Sequence, residues 1–387
     1  MYAKRYIETS TKIIKSYQGD IPLNIFLKKF FSADKKYGSR DRKQIASLCY
    51  NYFRLGHAAD NTSIEDKFLL GTFLTEHKSS ELLESVRPEW NALIQKPLEE
   101  KISTLKIQFS IDKIFLYKNE LCPGIDVEKF NLSFLIQPKL FLRIRPGKFK
   151  KVTGKLAGAG ISYNRLTDSC VALPNSSKIN SVIDLDKEAV VQDYNSQRVG
   201  ELLLNVFKNC KEEFPVWDCC AASGGKSILA YDINPDIELT VSDKRESILK
   251  NLHNRFAISG IKKYHSFVAD LENPAVILPT HNFDLIICDA PCTGSGTWAR
   301  TPEQLNFFKK DAIERYATTQ KNILQRVVQY LRPGGYILYI TCSVFKKENE
   351  DIIEYAQKKL SLTLKESQLF TGYEIKADTM FASLLQK

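Results

Sequence analysis

Apolar residues in the first third of the chain recur at the spacing of a helix. After Ser39, a suitable N-cap, four apolar side chains follow at i, i+3, i+4 and i+7 and would share one helix face. Ser63, with Asp66 three residues later, resembles the cap of a further helix. We therefore predict an all-helical domain over residues 1–126, which ends at a Cys-Pro-Gly break. The four apolar positions are Ile45, Leu48, Cys49 and Tyr52.

Beyond residue 186 the pattern changes to short apolar runs that alternate with helical stretches. This alternation is typical of a doubly wound α/β sheet with mostly parallel strands. Ligands bind such sheets at the carboxyl ends of the strands. Residues 186–387 are therefore predicted to form the domain that carries the chemistry. The expected strands are Pro215–Cys220, Leu239–Asp243, Ser266–Asp270, Leu285–Asp289 and Tyr336–Thr341, with helices from about Lys226, Lys244 and Asp311.

The segment between these domains, residues 127–185, is predicted to be a small basic unit of mixed α+β structure. From Lys129 to Arg165 it contains no acidic residue. Arginines alternate with apolar residues from position 140 to 145, which is the pattern of a strand with one basic face. Arg143 and Arg145 on that face are expected to lie against a phosphate backbone and to supply salt-sensitive affinity.

Composition and charge indicate which kind of partner and which location to expect for this protein. The 387-residue chain has a formal net charge of +10 and a pI near 9.0, which favours a polyanionic partner. No run of about eighteen apolar residues is present, so we expect no membrane span. The chain starts with charged residues instead of an apolar signal core, and a cytoplasmic location is expected. A monomer is the default expectation.

The nine cysteines predict neither disulfides nor a metal site. Their number is odd, they form no CxxC pair, and the five histidines show no metal-ligand spacing. We therefore expect no bound metal, and we expect most of the thiols to be reduced and buried.

A glycine-rich turn follows the first strand predicted for the sheet. It leads into a helix whose N-terminus offers free N–H groups to an anionic ligand group. Its spacing fits neither GxGxxG nor the P-loop pattern GxxxxGK, so a dinucleotide site, and with it a nicotinamide dehydrogenase, is disfavoured. The residues of the turn and of the helix start are Cys220, Ala221, Ala222, Ser223, Gly224, Gly225 and Lys226.

Acidic residues follow at the ends of three later strands: Asp243, Asp270 and Asp289. Because the carboxyl ends of parallel strands meet in one crevice, these carboxylates should converge there. Asp243 suits the two hydroxyls of a ribose, since a carboxylate accepts two hydrogen bonds from a vicinal diol. Asp270 is expected near the amino group of an adenine. The three residues together therefore predict a nucleoside-containing ligand.

Two cysteines fall at the same edge of the predicted sheet. Cys292 follows Asp289 closely after the fourth strand, and Cys342 ends the fifth. Cytosine is a poor nucleophile at carbon 5, but a thiolate that adds to carbon 6 makes it an enamine that can attack the methyl group of S-adenosylmethionine (SAM). A second thiol can then help carbon 5 to lose its proton, and Asp289 can hydrogen-bond the base edge. The pair therefore indicates methylation of cytosine.

These segments resemble the RNA 5-methylcytosine methyltransferases of the bacterial Fmu/Sun and eukaryotic nucleolar NOL/NOP/Sun group. The likeness rests on the segments 220–226, 289–292 and 341–343, and it runs in order through residues 190–385. It implies a Rossmann-like domain that binds SAM, with Cys342 as the nucleophile and Cys292 as the residue that assists release. The SAM pocket implied by the resemblance is lined by residues 220–226 with Asp243, Asp270 and Asp289.

The sequence differs from the usual family motifs at two positions, and a further likeness lies in the N-terminal part of the chain. Ser223 stands where the family usually has proline, and Thr293 stands where serine is commoner, so we expect a modest change in loop rigidity. Residues 38–42 resemble part of the NusB-like helical domain of the bacterial ribosomal RNA members. The resemblance therefore implies RNA as the partner, with small-subunit ribosomal RNA as the expected substrate.

Two other functions fit part of this pattern. A DNA cytosine-5 methyltransferase would attack with Cys292, which leaves the Thr341-Cys342-Ser343 segment without a purpose. A non-catalytic RNA-binding assembly factor on a degenerate methyltransferase fold is the other alternative. The presence of cysteine at both positions argues against degeneration.

Overall fold

The computed structural model describes residues 2–34, 36–105, 109–208, 210, 213–278 and 280–387. The chain forms two compact units. The first comprises Met1–Asn119, Ile125–Gln137 and Thr297–Lys310, and the second comprises Glu120–Gly124, Pro138–Gly296 and Asp311–Lys387. The three-part division at residues 126 and 185 stays a prediction. Within the described residues, no helix combines the length and the apolar character that crossing a bilayer requires.

The first unit is helical, as the apolar spacing predicts. Ser63 caps its helix as expected, since its Oγ accepts a hydrogen bond from the backbone N of Asp66 at 3.1 Å. The expectation for Ser39 is wrong by one residue: the N-cap is Gly38, whose N–H donates to Oδ2 of Asp41 at 3.1 Å. The α-helices of this unit are Tyr2–Ser16, Leu23–Ala33, Ser39–Arg54, Ile64–Thr75, Glu81–Val86, Pro88–Ala92, Leu98–Ser103, Val127–Ser133 and Gln304–Phe307.

The core of this unit includes the helix face predicted from the sequence. Ile45, Leu48 and Cys49 are buried, whereas Tyr52 is half-buried at the margin. Ile45 and Cys49 pack in one cluster with apolar residues of the first two helices. The likeness to a NusB-like domain stays a prediction.

The second unit contains a small antiparallel sheet of four strands in the order β2-β3-β1-β4. The helix Phe149–Gly158 packs on it through Val152 and Leu156. The strands are β1 (Leu140–Ile144), β2 (Asn164–Arg165), β3 (Cys170–Leu173) and β4 (Ala189–Val191).

The basic face predicted for β1 is wrong for Arg143 and Arg145. Both guanidinium groups donate to the carboxylate of Asp232, which lies in the helix Gly225–Ile233, and Arg145 Nη2 is 2.7 Å from Asp232 Oδ1. The side chains of Arg143 and Asp232 are only 5% and 6% exposed. Because these charges are desolvated and paired with each other, they are not available to a phosphate backbone.

The main sheet of the second unit has seven strands in the order β10-β11-β9-β8-β5-β6-β7. Five neighbouring strands are parallel, and β11 and β10 add an antiparallel edge beside β9. The largely parallel, Rossmann-like sheet predicted from the sequence is confirmed. The strands are β5 (Phe214–Asp218), β6 (Ile237–Asp243), β7 (Tyr264–Val268), β8 (Phe283–Asp289), β9 (Leu331–Thr341), β10 (Thr363–Phe370) and β11 (Met380–Gln386).

Both faces of this sheet are covered, so successive residues of a strand enter different clusters. Val216 and Leu285 pack in one cluster, and Trp217 and Ile286 in another. Continuous apolar runs such as the one in β8 are what a sheet buried on both faces requires. The α-helices of the second unit are Phe149–Gly158, Tyr194–Arg198, Glu201–Lys208, Gly225–Ile233, Glu246–Ser259, Asp311–Val327 and Glu350–Leu360.

Candidate active site

A cavity of about 340 Å³ opens at the carboxyl edge of the parallel strands. Its size lies in the usual range of small-molecule sites. Half of the ten residues expected to bind the cofactor line it, and Cys292 lines it too. The other five, from the turn after β5, are Ala221, Ser223, Gly224, Gly225 and Lys226. The lining residues predicted from the sequence are Cys220, Ala222, Asp243, Asp270 and Asp289.

The turn after β5 is held by hydrogen bonds that its backbone N–H groups donate to the neighbouring strand. Ala221 N donates to Ser242 O at 2.9 Å, and Ala222 N donates to Oδ2 of Asp243 at 3.0 Å. Gly224 has φ +82°, and a Cβ there would come within 2.7 Å of Phe256. Glycine is therefore required at this point for both conformation and packing.

The two aspartates assigned to the nucleoside also organise their own loops. Asp243 Oδ1 accepts hydrogen bonds from the backbone N of Arg245 at 2.9 Å and from its Nε at 3.1 Å. Asp270 Oδ1 accepts from the backbone N of Glu272 at 3.1 Å. Each carboxylate oxygen has two lone pairs, so both groups retain acceptor sites that can face the cavity.

The serine that replaces the usual proline is fixed by a charged pair. Arg255 Nη1 donates to the backbone O of Ser223 at 2.8 Å and to its Oγ at 3.1 Å. The same guanidinium donates to Asp186, with Nη2 2.7 Å from Oδ1. Arg255 therefore joins the turn to the segment before β4 and restrains a position at which proline would restrict φ.

Lys226 connects the turn to the end of β8. Its Nζ donates to Asp289 Oδ2 at 2.9 Å and to Ser196 Oγ at 2.8 Å. Lys226 is buried, and Asp289 is about one third exposed on the cavity side. The cation therefore orients the Asp289 carboxylate while leaving part of it accessible.

Asp218, at the end of β5, is a polar group of this site that was not predicted from the sequence. It is fully buried, and Ser227 Oγ donates to its Oδ2 at 2.6 Å. Its Oδ1 has no hydrogen-bond partner among the described residues. Burial raises the pKa of this carboxyl to about 7. The rule that singled out Asp243, an acidic residue at a strand end, also applies to Asp218 and would have found it.

The two cysteines predicted to act on the base lie next to each other. The Sγ atoms of Cys292 and Cys342 are 3.4 Å apart, and both side chains are only partly buried. The pKa of the Cys292 thiol is raised, first by its hydrogen bond with Cys342 and then by burial. Both effects favour the protonated form of Cys292.

Glu348 connects the two cysteine-bearing loops and was missed as a functional residue. Its buried carboxylate accepts hydrogen bonds from the backbone N of Thr293 at 2.9 Å and from Ser343 Oγ at 2.6 Å. Gln320 Nε2 donates to the same group at 3.0 Å. Thr293 and Ser343 each directly follow one of the two cysteines, so Glu348 fixes both loops at once.

The covered parallel sheet, the small-residue turn and the acidic strand ends define a Rossmann-like methyltransferase. The cavity fits a nucleoside cofactor such as SAM, because the carboxylates of Asp243 and Asp270 line it and can accept hydrogen bonds from ribose hydroxyls and an adenine amino group.

Comparison with known proteins agrees with this class. The family model described as 16S rRNA methyltransferase RsmB/F matches residues 178–384, and the chain belongs to that family. Ribosomal RNA small subunit methyltransferase B of Xanthomonas campestris is 28% identical over 222 residues, which cover 55% of this chain and 48% of that protein. The family resemblance inferred from the sequence motifs is therefore confirmed.

A second relative and a solved structure extend the comparison. The mouse 28S rRNA (cytosine-C(5))-methyltransferase is 31% identical over 181 residues, covering 42% of this chain and 21% of that protein. The structure of a methyltransferase homolog from Pyrococcus horikoshii superposes with a TM-score of 0.58 at 20% identity, over 69% of this chain and 92% of that one. The chain spans about half the length of the first curated relatives that it matches.

Proposed function

We propose that the protein transfers a methyl group from SAM to carbon 5 of a cytidine in RNA, and that this RNA is small-subunit ribosomal RNA. The observation that carries the proposal is the 3.4 Å separation between the Sγ atoms of Cys292 and Cys342, beside a cavity that Cys292 lines. Two thiols at this distance can act on one base. The names of the relatives and the net charge of +10 support an RNA substrate.

The cavity residues are assigned as follows. Asp243 holds the ribose hydroxyls and Asp270 lies at the adenine amino group. The turn 220–226, of which Cys220 and Ala222 line the cavity, holds the amino-acid end of the cofactor. When bound, SAM supplies an electrophilic methyl group on a positively charged sulfur. A target cytidine must leave its stack to reach this point, because carbon 6 is inaccessible within a helix.

The chain's own groups perform the remaining steps. The thiolate of Cys342 forms a bond to carbon 6, and the electron pair of the 5,6 double bond becomes available at carbon 5. Asp289, oriented by Lys226, hydrogen-bonds the base edge during this addition. After carbon 5 has gained the methyl group, it loses its proton, the Cys342–carbon 6 bond breaks and the double bond re-forms. Cys292 passes the proton that it holds at rest to solvent and then accepts the proton that carbon 5 releases.

A labelling experiment tests this function. The protein is incubated with ribosomal RNA and SAM labelled in the methyl group, and the RNA is digested to nucleosides for mass spectrometry. We expect the label in 5-methylcytidine, and we expect Cys342→Ala to abolish it while SAM binding measured by dialysis persists. Cys210→Ala is the matched control, since this half-buried thiol lies against Phe207. Label in another nucleoside, or full activity of Cys342→Ala, contradicts the proposal. The cytoplasmic location and the monomeric state stay predictions from the sequence.

A further inference from the structure

Three cysteines outside the Cys292–Cys342 pair converge beside the cavity. Cys219 and Cys220 directly follow β5, and Cys288 lies near the end of the neighbouring parallel strand β8. Their Sγ atoms all lie within 4.8 Å of one another. Among the described residues, no histidine nitrogen or carboxylate oxygen completes this group within that distance.

The register of the two strands explains the cluster. Asp218 pairs with Ile287, and Cys219 N donates to Ile287 O at 3.0 Å, so Cys219 and Cys288 occupy neighbouring positions on adjacent strands. Adjacent strands lie about 4.8 Å apart, which brings side chains at such positions into contact. Because β5 and β8 are separated by two other strands in the chain, the sequence alone could not place these residues together.

The three-cysteine cluster is buried within the sheet on one side, and on the other side it borders the cavity. Cys219 and Cys288 are buried, whereas Cys220 is half-buried, and both Cys219 and Cys220 line the cavity wall. All three are free thiols. An ion that enters the cavity can therefore reach the sulfur atoms without unfolding the sheet.

We propose that Cys219, Cys220 and Cys288 bind one thiophilic metal ion of the Cu(I) or Zn(II) class, and that the bound ion excludes the cofactor from the cavity. Thiolates select these soft ions. With metal–sulfur bonds of about 2.3 Å, three sulfurs around one ion lie about 4 Å apart, which the present spacing permits. For Cu(I) the three sulfurs suffice, whereas Zn(II) takes a water from the cavity as its fourth ligand.

Binding is a ligand exchange without electron transfer. As each metal–sulfur bond forms, the thiol proton passes to water, and the ion keeps its charge. The metal then lies against the wall formed by Cys219 and Cys220, where the cofactor is assigned under the proposed function. Only the exclusion of the cofactor rests on that function, because metal retention can be measured without SAM.

The test uses the full chain with Cys292→Ala and Cys342→Ala, because that pair of thiols could bind a metal by itself. The reduced, chelator-treated protein is titrated with Zn(II), and separately with Cu(I) under anaerobic conditions, each against a colorimetric chelator. We expect one equivalent of at least one ion to be retained. X-ray absorption should show three sulfur neighbours at about 2.3 Å. The number of sulfur neighbours is measured on this protein alone, so it does not depend on whether any further variant folds.

Cys288→Ser in the same background should lower the metal affinity at least about tenfold, whereas Cys210→Ser should leave it unchanged. At a free metal concentration a hundredfold above its Kd, competition raises the apparent Kd for SAM about a hundredfold. SAM binding by metal-free Cys288→Ser confirms that this variant is folded. Failure to retain either ion, fewer than three sulfur neighbours, or retention unaffected by Cys288→Ser overturns the site. Unchanged SAM affinity in the metal-loaded protein overturns the exclusion.

Discussion

The carboxylate of Glu348 accepts a hydrogen bond from the backbone N of Thr293 at 2.9 Å, across 55 positions of the chain. The same carboxylate accepts from Ser343 Oγ at 2.6 Å. Since Thr293 follows Cys292 and Ser343 follows Cys342, one buried group sets the separation of the two sulfurs. Burial raises the pKa of Glu348, while the hydrogen bonds from Ser343 and Thr293 oppose that shift.

We predict that Glu348→Gln slows adduct formation without weakening cofactor binding. The amide has one acceptor oxygen in place of two, so one of the loops loses its anchor. A displacement of about 1 Å at the sulfur atoms costs on the order of 100-fold in rate. The measurement is kcat together with the Kd for SAM. Glu354→Gln, on the exposed side of the helix Glu350–Leu360, is the control. Equal losses in kcat and SAM affinity would mean that Glu348 is a general structural residue instead.

The hydrogen bonds between Arg255 and Ser223 predict that a second substitution can restore SAM affinity that a first substitution has lowered. Arg255→Ala should weaken SAM binding, because the turn loses two hydrogen bonds and its link to Asp186. Ser223→Pro added to Arg255→Ala should recover part of the lost SAM affinity, because the proline ring fixes φ within the turn. Calorimetric titration with SAM measures both effects. Arg332→Ala serves as the control, since Arg332 pairs with Asp284 at the opposite end of β8. Unchanged SAM affinity in Arg255→Ala contradicts the role assigned to this contact.

The raised pKa of Asp218 predicts a pH dependence of stability. The folded protein holds this proton up to about pH 7, whereas the same carboxyl in the unfolded chain has its ordinary pKa of 3.8. The folded state therefore binds more protons than the unfolded state, and the free energy of unfolding falls as the pH rises between these values. The loss is at most about 4 kcal/mol.

Asp218→Asn should flatten this dependence between pH 4 and 7. Urea denaturation of both proteins at several pH values measures the difference. Asp236→Asn, at a solvent-exposed position, is the control. A parallel pH dependence of the wild type and Asp218→Asn would show that Asp218 does not hold a proton in the folded state.

The buried pairing of Arg143 and Arg145 with Asp232 predicts a large loss of stability. Asp232→Ala leaves two guanidinium groups without their carboxylate in a site where the side chains are at most 11% exposed. Removing one partner of a buried ion pair costs about 3–5 kcal/mol. Chemical denaturation should show this loss, and Glu238→Ala, at an exposed position of β6, should not. A loss of less than about 1 kcal/mol in the free energy of unfolding would contradict this prediction. It would mean that water solvates the two guanidinium groups.

Much of the fold and of the site was predictable, because short-range sequence patterns identify the strands and the residues at their ends. Alternating apolar runs located β5 to β9, and the acidic residues and cysteines after them had to meet at one edge. The roles of Arg143 and Arg145 were not predictable, because their partner Asp232 is 87 to 89 positions away and alternation alone cannot distinguish a buried pair from a basic face. The cluster of Cys219 with Cys288 likewise depends on strand order, which the sequence does not state.

Covalent trapping tests the two-cysteine assignment most directly. The wild type, Cys292→Ala and the double variant Cys292→Ala/Cys342→Ala are each incubated with ribosomal RNA and SAM, and a protein–RNA adduct that survives denaturant is sought. We predict that only Cys292→Ala accumulates the adduct, because Cys342 still attacks carbon 6 while the release step lacks its thiol. An adduct in the double variant, or methylation that proceeds in it, would contradict the assignment, because neither cysteine would then be needed as the nucleophile.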